Sequence, residues 1–180
     1  MISLTIDGQR SEVREGTTLL EAAKLLHIRI PTLCYHPLLK PFGACRLCVV
    51  EVRRGAGFEL VTACNTPCVE GLEVSTDTPN TREARRVVLE LMLARWPNVR
   101  VLRQLAEELG LAQPRFVSAL RDERQDACIL CLRCVRICEE VVGACAISYE
   151  DRGMQRRVVT PFNEPSEACI TCGACTHVCP

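Results

Sequence analysis

Residues 2–6, Ile-Ser-Leu-Thr-Ile, alternate apolar and polar side chains, and residues 10–14 alternate again after the dipeptide Asp7-Gly8. Two runs of period two joined by such a dipeptide predict a β-hairpin. The period then lengthens. Leu19, Leu20, Ala23, Leu26 and His27 recur at helical spacing behind Gly16-Thr17-Thr18, where Thr17 or Thr18 can serve as N-cap with Glu21 in capping-box reach. Pro31 closes that helix, and a long loop runs from residue 34 to 48. Residues 47–53 and 58–62 flank Gly55-Ala56-Gly57 as two strands, and residues 72–74 form a last short one. Hairpin, helix, loop and further strands predict a β-grasp arrangement.

Asn80-Thr81 followed by Glu83 marks the next helix start. Ala84, Val87, Val88, Leu91 and Met92 then form an apolar stripe at i, i+3, i+4, i+7 and i+8, which Trp96-Pro97 interrupts. A second helix over 99–109 places Leu102, Leu105, Ala106 and Leu109 on one face and stops at Gly110. These helices are expected to be a connector between two domains, with Arg82, Arg85, Arg86, Arg95, Arg100 and Arg103 on solvated faces. Residues 144–149 and 157–160 are predicted as short strands. The expected fold class is α+β, with a first domain over 1–78, a helical connector over 79–118 and a second domain over 119–180.

Composition changes this picture in one respect. The chain has 180 residues, 22 Lys+Arg against 22 Asp+Glu, and 14 cysteines. The N-terminus shows no charged segment leading into an apolar one, so no signal peptide is expected. No apolar run reaches the roughly 18 residues of a membrane span. Clustered cysteines without secretory features point to a reducing cytoplasm and to metal ligation rather than disulfides.

Two of the cysteine sets read Cys128-x2-Cys131-x2-Cys134-x3-Cys138 and Cys169-x2-Cys172-x2-Cys175-x3-Cys179-Pro180, the second repeating the spacing of the first. This is the thiolate spacing that holds [4Fe–4S] cubanes, with the fourth cysteine of each run ligating the other cluster. The assignment is therefore Cys128, Cys131, Cys134 and Cys179 to one cubane, and Cys138, Cys169, Cys172 and Cys175 to the other. Crossed ligation would lock the two halves together, so that loss of one cluster unfolds the domain. Zinc is the rival metal, but a tetrahedral zinc site takes two Cys-x2-Cys pairs, and triplets with a distal fourth leave surplus ligands. The third set reads Cys34-x10-Cys45-x2-Cys48-x15-Cys64, close in organisation to a plant-type [2Fe–2S] site but not identical to it. Gly43 suits a backbone folded tightly against such a cluster. Cys68 competes for the fourth position on spacing alone. Cys145, in the apolar context Gly143-Ala144-Cys145-Ala146-Ile147, is expected to be a small buried hydrophobe, as is Cys68. His27, His36 and His177 show no ligand pairing, and His177 is expected at the surface. Bound clusters add negative charge, so nucleic acid is not an expected partner.

With these residues laid out, the segments IDG, EGTTLLEAA, IPTLCYHPLL, GACRLCVVEV, TACNTPCVEGLEV and TPNTREARRVVLELML resemble the N-terminal region of the large iron–sulfur subunit of NADH:quinone oxidoreductase (complex I). The same region occurs in the diaphorase small subunit of NAD-reducing hydrogenases and at the N-termini of [FeFe]-hydrogenases and NAD-linked formate dehydrogenases. CILCLRCVRICEEVVGACAI and ACITCGACTHVCP resemble the two-cluster domain that follows there. The resemblance implies a β-grasp [2Fe–2S] ferredoxin domain, a connector and a bacterial-type 2[4Fe–4S] ferredoxin-like domain. It also implies Cys34, Cys45, Cys48 and Cys64 as the [2Fe–2S] ligands, since Cys68 stands where relatives carry valine. Relatives hold a further [4Fe–4S] cluster in the connector through one histidine and three cysteines. Here that stretch reads ARWPNVRVLRQLAEELG, with Trp96 near the histidine's place and no cysteine between Cys68 and Cys128. One [2Fe–2S] and two [4Fe–4S] clusters are expected, and no fourth.

The resemblance implies an electron-transfer subunit between a flavin- and NAD(P)(H)-binding iron–sulfur subunit and a catalytic oxidoreductase subunit, within a hetero-oligomer. The chain has no G-x-G-x-x-G behind a strand, no flavin site and no further metal-centre ligands, so no catalytic residue is assigned and substrate chemistry falls to the partner. A hydrogenase-type diaphorase module is the preferred parent. A module of formate dehydrogenase or of a complex I-like enzyme is the alternative, and a free ferredoxin-like carrier or a structural zinc protein are the other classes. A half-ferredoxin continues past its Cys-Pro into a covering strand, so the chain is expected to be longer in nature or covered by a partner.

Overall fold

The computed structural model describes residues 1–111, 113–116 and 128–180. Strand β1 (Ile2–Ile6) pairs antiparallel with β2 (Gln9–Val13) through Asp7 and Gly8, whose φ values of +49° and +78° are those a two-residue hairpin turn requires. Alternation sends Leu4, Ile6 and Val13 inward. Helix α1 (Leu19–Leu25) opens on Thr18, whose hydroxyl accepts the Glu21 N–H while the Glu21 carboxylate accepts the Thr18 N–H, a reciprocal capping box. Strands β3 (Val49–Arg54) and β4 (Gly57–Thr62) form a second hairpin. The short β5 (Glu73–Ser75) slots between β1, to which it is parallel, and β3, to which it is antiparallel. The result is a mixed five-stranded sheet of order β2-β1-β5-β3-β4. Its core closes where Leu19, Leu20 and Ala23 of α1 meet Ile6, Val50 and Val52 of the sheet. Burial of each leucine, isoleucine or valine there contributes about 1.5–3 kcal/mol.

Helix α2 (Pro79–Arg95) starts two residues earlier than the Asn80-Thr81 signal predicts. Thr78 is the cap, boxed with Thr81, and Pro79 takes the first helical position, where its missing N–H costs nothing. The apolar stripe is also displaced. Thr81, Arg85, Leu89, Glu90 and Leu93 form the buried face, while Leu91 is 54% exposed and Ala84, Val87, Val88 and Met92 are half-buried. The cause is Arg85, expected on a solvated face and found buried. Its Nη2 donates to the carbonyls of Val49 (2.6 Å) and Thr76 (2.8 Å), which sit at strand ends where no ladder partner reaches them. Hydropathy scores arginine as polar and cannot anticipate that use. Glu90 is fully buried as well, held by Arg115 at 2.8 Å and Arg86 at 3.3 Å. The Arg115 guanidinium holds its carboxyl below the usual carboxylate range.

Helix α3 (Arg100–Glu108) buries Leu102, Leu105 and Ala106, as its periodicity predicts, and ends before Gly110 at φ +64°. A second core joins Leu89, Trp96 and Leu102 of this helical pair to Cys34, Cys45 and Leu47 on one side and Ile129 on the other. The helices thus pack between the two cysteine-bearing regions. Helix α4 (Arg133–Ile137) runs into a π turn over Cys138–Val142; β6 (Ser148–Glu150) pairs antiparallel with β7 (Arg157–Val159); and α5 (Ala174–His177) closes the chain. The expected boundary between residues 118 and 119 lies outside the described residues. Among the described residues no helix is long and apolar enough to cross a membrane.

Replacing Arg85 with Met keeps the aliphatic packing but strands two buried carbonyls. The substitution is expected to lower stability by about 1–3 kcal/mol, read as a fall in the urea midpoint. An unchanged midpoint would mean that water reaches both carbonyls.

Candidate metal centre

The cysteines fall into three groups in space. Cys34 and Cys45 lie on the loop between α1 and β3, Cys48 immediately precedes β3, and Cys64 follows β4. All four are buried. The Cys45 N–H donates to Cys34 Sγ at 3.4 Å. The thiols themselves hydrogen-bond in two pairs, Cys34 with Cys45 and Cys48 with Cys64. Within each pair one sulfur is favoured as thiolate. The bond from Cys34 draws Cys45 down to about 5 against the opposing effect of burial, with the Leu47 N–H assisting. The bond from Cys48 draws Cys64 down to about 7, with the Gly43 N–H assisting. Cys34 and Cys48 are correspondingly raised, first by those same bonds. Thiolate is the ligating form, so four buried sulfurs with main-chain N–H groups aimed at them make a donor set suited to a thiophilic metal group.

Gly43 explains how the loop gets so close. Its φ is +68°, and a Cβ at this position would stand 2.7 Å from Asn65 Nδ2, beside Cys64. Cys68 belongs elsewhere. It is buried in the core of the first domain, its N–H donates to the Thr17 carbonyl at 2.8 Å, and burial pushes its thiol up to about 11.

In the C-terminal region a cavity of about 220 Å³ is lined by Cys128, Cys131, Cys134 and Cys179, with apolar walls that include Val99, Leu132 and Val158. A second, of about 250 Å³, is lined by Cys138, Cys169, Cys172 and Cys175, with Val142, Ala146 and Ile147 among its walls. Each cavity therefore gathers three cysteines of one run and the last cysteine of the other. The backbone device is duplicated too. Leu130 and Leu132 have φ of +53° and +59°, and their counterparts Thr171 and Gly173 have +54° and +72°. A left-handed residue inside or just after each Cys-x2-Cys step turns successive sulfurs toward one centre, a conformation non-glycine residues rarely take. Only Gly173 hinted at this in the sequence. The Ala146 N–H donates to Cys138 Sγ at 3.3 Å.

Cys145 departs from expectation. It is exposed, with φ +50°, because the chain leaves the π turn through Gly143 and must reverse before Ala146 can reach Cys138. His177 is exposed on α5, and His36 Nδ1 accepts the Leu38 N–H at 3.3 Å. Trp96 is buried in the second core. All fourteen cysteines are free thiols.

Among the described residues no three His, Cys, Asp or Glu side chains converge on a point that a single ion could occupy. The two cavities nevertheless exceed the ~150 Å³ that suffices for benzene. Four sulfurs spread around a void of that size fit a polyatomic core and not one tetrahedral ion, whose ligands must lie about 2.3 Å from it.

Residues 1–79 match a family model described as a 2Fe-2S iron-sulfur cluster binding domain. The whole chain aligns with an NADH-quinone oxidoreductase subunit of Rhizobium meliloti at 38% identity, spanning 23% of that protein. It aligns with the NADPH-Fe(3+) oxidoreductase subunit alpha of Geobacter sulfurreducens at 37%, spanning 23%, and with an NADP-reducing hydrogenase subunit of Solidesulfovibrio fructosivorans at 35%, spanning 35%. The chain thus spans about a quarter to a third of the length of these curated relatives. The first alignment extends over 205 positions, more than the 180 residues available, so gaps fall within the aligned span. Among solved structures, a chain of an NAD+-reducing [NiFe]-hydrogenase superposes with a TM-score of 0.82 at 27% identity, over 96% of this chain and 82% of that one.

Gly43→Ala adds a left-handed strain of about 1–2 kcal/mol to the contact with Asn65. It is expected to lower the iron content of the chain, as measured by iron analysis and visible absorbance. Full loading at an unchanged melting temperature would show that the loop has room to give.

Proposed function

We propose that this chain, whose residues 1–79 match a 2Fe-2S iron-sulfur cluster binding domain and which along its whole length is similar to subunits of NADH- and NADP-linked oxidoreductases, is an iron–sulfur electron-transfer module of such a complex. A hydrogenase-type diaphorase is the parent we favour, given the fit to the NAD+-reducing [NiFe]-hydrogenase chain. In this reading Cys34, Cys45, Cys48 and Cys64 hold one [2Fe–2S] cluster. Cys128, Cys131, Cys134 and Cys179 hold one [4Fe–4S] cluster, and Cys138, Cys169, Cys172 and Cys175 hold the other. The domains run over 1–78 for the ferredoxin-like sheet, 79–118 for the connector and 119–180 for the two-cubane region. The observation that carries the reading is the exchange of the last cysteine between runs, so that Cys179 closes one cavity and Cys138 the other.

When bound, iron–sulfur clusters supply one-electron carriers, at about −400 mV for the plant-type centre. The chain's own residues hold, shield and tune them. Buried Cys34, Cys48 and Cys64 keep water from the N-terminal site. The N–H groups of Cys45 and Ala146 point at ligand sulfurs, where hydrogen bonds stabilise the more negative, reduced state. The second core is an apolar cluster that includes Cys34 and Cys45 on one side and Ile129, with Cys131 packed against it, on the other. No residue of the connector offers a fourth site, because it carries Trp96 and no thiol. The chain performs no substrate chemistry of its own in this reading. A flavin- and NAD(P)(H)-binding iron–sulfur subunit and a catalytic oxidoreductase subunit are its proposed partners in a cytoplasmic hetero-oligomer.

An anaerobically prepared sample is expected to be brown and to contain roughly ten iron atoms per chain. Cys179→Ala should abolish the cubane held by Cys128, Cys131 and Cys134 and, because crossed ligation locks the two halves together, deplete the second cubane as well. Cys64→Ala should abolish the [2Fe–2S] EPR signal and Cys68→Ala should spare it. A colourless protein, or one in which Cys68→Ala and not Cys64→Ala erases that signal, would defeat the assignment.

A further inference from the structure

The loop bearing Cys34 and Cys45 meets the C-terminal region at an ion pair, buried at its arginine and open to solvent at its glutamate, that the ligand assignment does not use. Arg136 lies on α4, two residues after Cys134 and two before Cys138, and is 7% exposed. Its Nη1 donates to the Cys34 carbonyl at 3.4 Å and its Nη2 to the Lys40 carbonyl. Its Nε donates to Glu140 Oε1 at 3.0 Å, and Glu140 Oε2 accepts the Lys40 N–H at 2.8 Å. The Phe42 ring lies 4.7 Å from the guanidinium carbon. Beside this contact Leu39 packs on Ile137 and Val178, all three buried.

The arrangement has a direction. The cation rests on the main chain of both Cys34 and Lys40, whereas the carboxylate touches Lys40 alone. A guanidinium removed from water is tolerated only when its donors are used, and here all three nitrogens are engaged, in a fork that lysine cannot reproduce. The guanidinium, 7% exposed, is less screened by water than a surface cation, whereas Glu140 stays nearer the solvent. A site that gains one negative charge on reduction is stabilised by a fixed cation on its ligand's backbone, and destabilised by a nearby carboxylate.

We propose that Arg136, a residue of the C-terminal region, is a positioning residue that seats the Cys34 loop on α4 and raises the reduction potential of the [2Fe–2S] site. The potential of the first domain is then set in part by the second. The inference rests on the preceding reading that Cys34 is a [2Fe–2S] ligand. Reduction adds one electron from the titrant to that site; no bond forms or breaks and no proton is required.

The test is an EPR-monitored redox titration of the [2Fe–2S] signal in the full loaded chain and in Arg136→Met, Arg136→Lys and Glu140→Gln, with iron content measured in each. Arg136→Met is expected to titrate at lower potential and Arg136→Lys to recover part of the loss, because charge returns without the fork. Glu140→Gln is expected to titrate higher, because the cation loses its counter-charge. Opposite signs for Arg136→Met and Glu140→Gln distinguish electrostatic tuning from simple loosening, which would move both alike. Shifts of the same sign, or none in fully loaded protein, overturn the proposal. If Arg136→Met fails to retain iron, Glu140→Gln and Arg136→Lys decide, and an unshifted Glu140→Gln overturns it. A wild-type chain with no [2Fe–2S] signal defeats the ligand assignment itself, an outcome separate from a signal that titrates normally in every variant.

Discussion

Thiol groups in the C-terminal region are gathered by an exchange: each cavity is closed by the last cysteine of the other run. Neither run can form its cavity alone. The consequence reaches outward, because Cys138 must lie on the π turn behind α4, and Cys179 must return past α5, before either void has its fourth sulfur. A site assembled from segments so far apart along the chain has no counterpart in the unfolded state. Whatever occupies the sites therefore adds its binding free energy directly to folding.

The apolar layer beside these cavities couples them to the N-terminal sheet. Leu89, Trp96 and Leu102 fill the space between the Cys34–Cys45 loop and Ile129. Trp96 supplies bulk where the family resemblance leads one to expect a ligand. The second core is thus contiguous, and its residues Val99 and Ile129 also line the cavity of the first run.

Arginine seals several of the joints between layers. Arg85 ties α2 to the ends of the sheet, Arg115 pairs with the buried Glu90, and Arg95 reaches the carbonyls of Gly153 and Met154. At the first and last of these joints main-chain carbonyls are left unpaired by secondary structure, and a guanidinium serves several at once from one side chain. Such contacts resist slippage better than alkyl packing, since a shift of one residue leaves a charge unpaired. The chain's equal numbers of acidic and basic residues say nothing of this placement.

What the sequence determined by itself was local or periodic. The Asp7-Gly8 hairpin, the Thr18–Glu21 capping box, the order of strands and helices through α3, and the duplicated cysteine run all follow from near neighbours or from spacing, whereas α4, the π turn and α5 do not. The repeat also led one to expect Cys179 beside the first run, and it lines the same cavity as Cys128, Cys131 and Cys134. Tertiary structure alone decided which face of α2 is buried, since that depends on carbonyls of Val49 and Thr76 that no helical periodicity can see. It decided that Cys145 is exposed, because that residue follows a left-handed exit from a turn, whereas Cys68 is buried as its sequence context led one to expect. It also decided that Arg136 reaches Cys34, across 102 residues of chain. Spacing records what a segment can do with itself; the burial of a charge depends on which distant segment arrives to meet it.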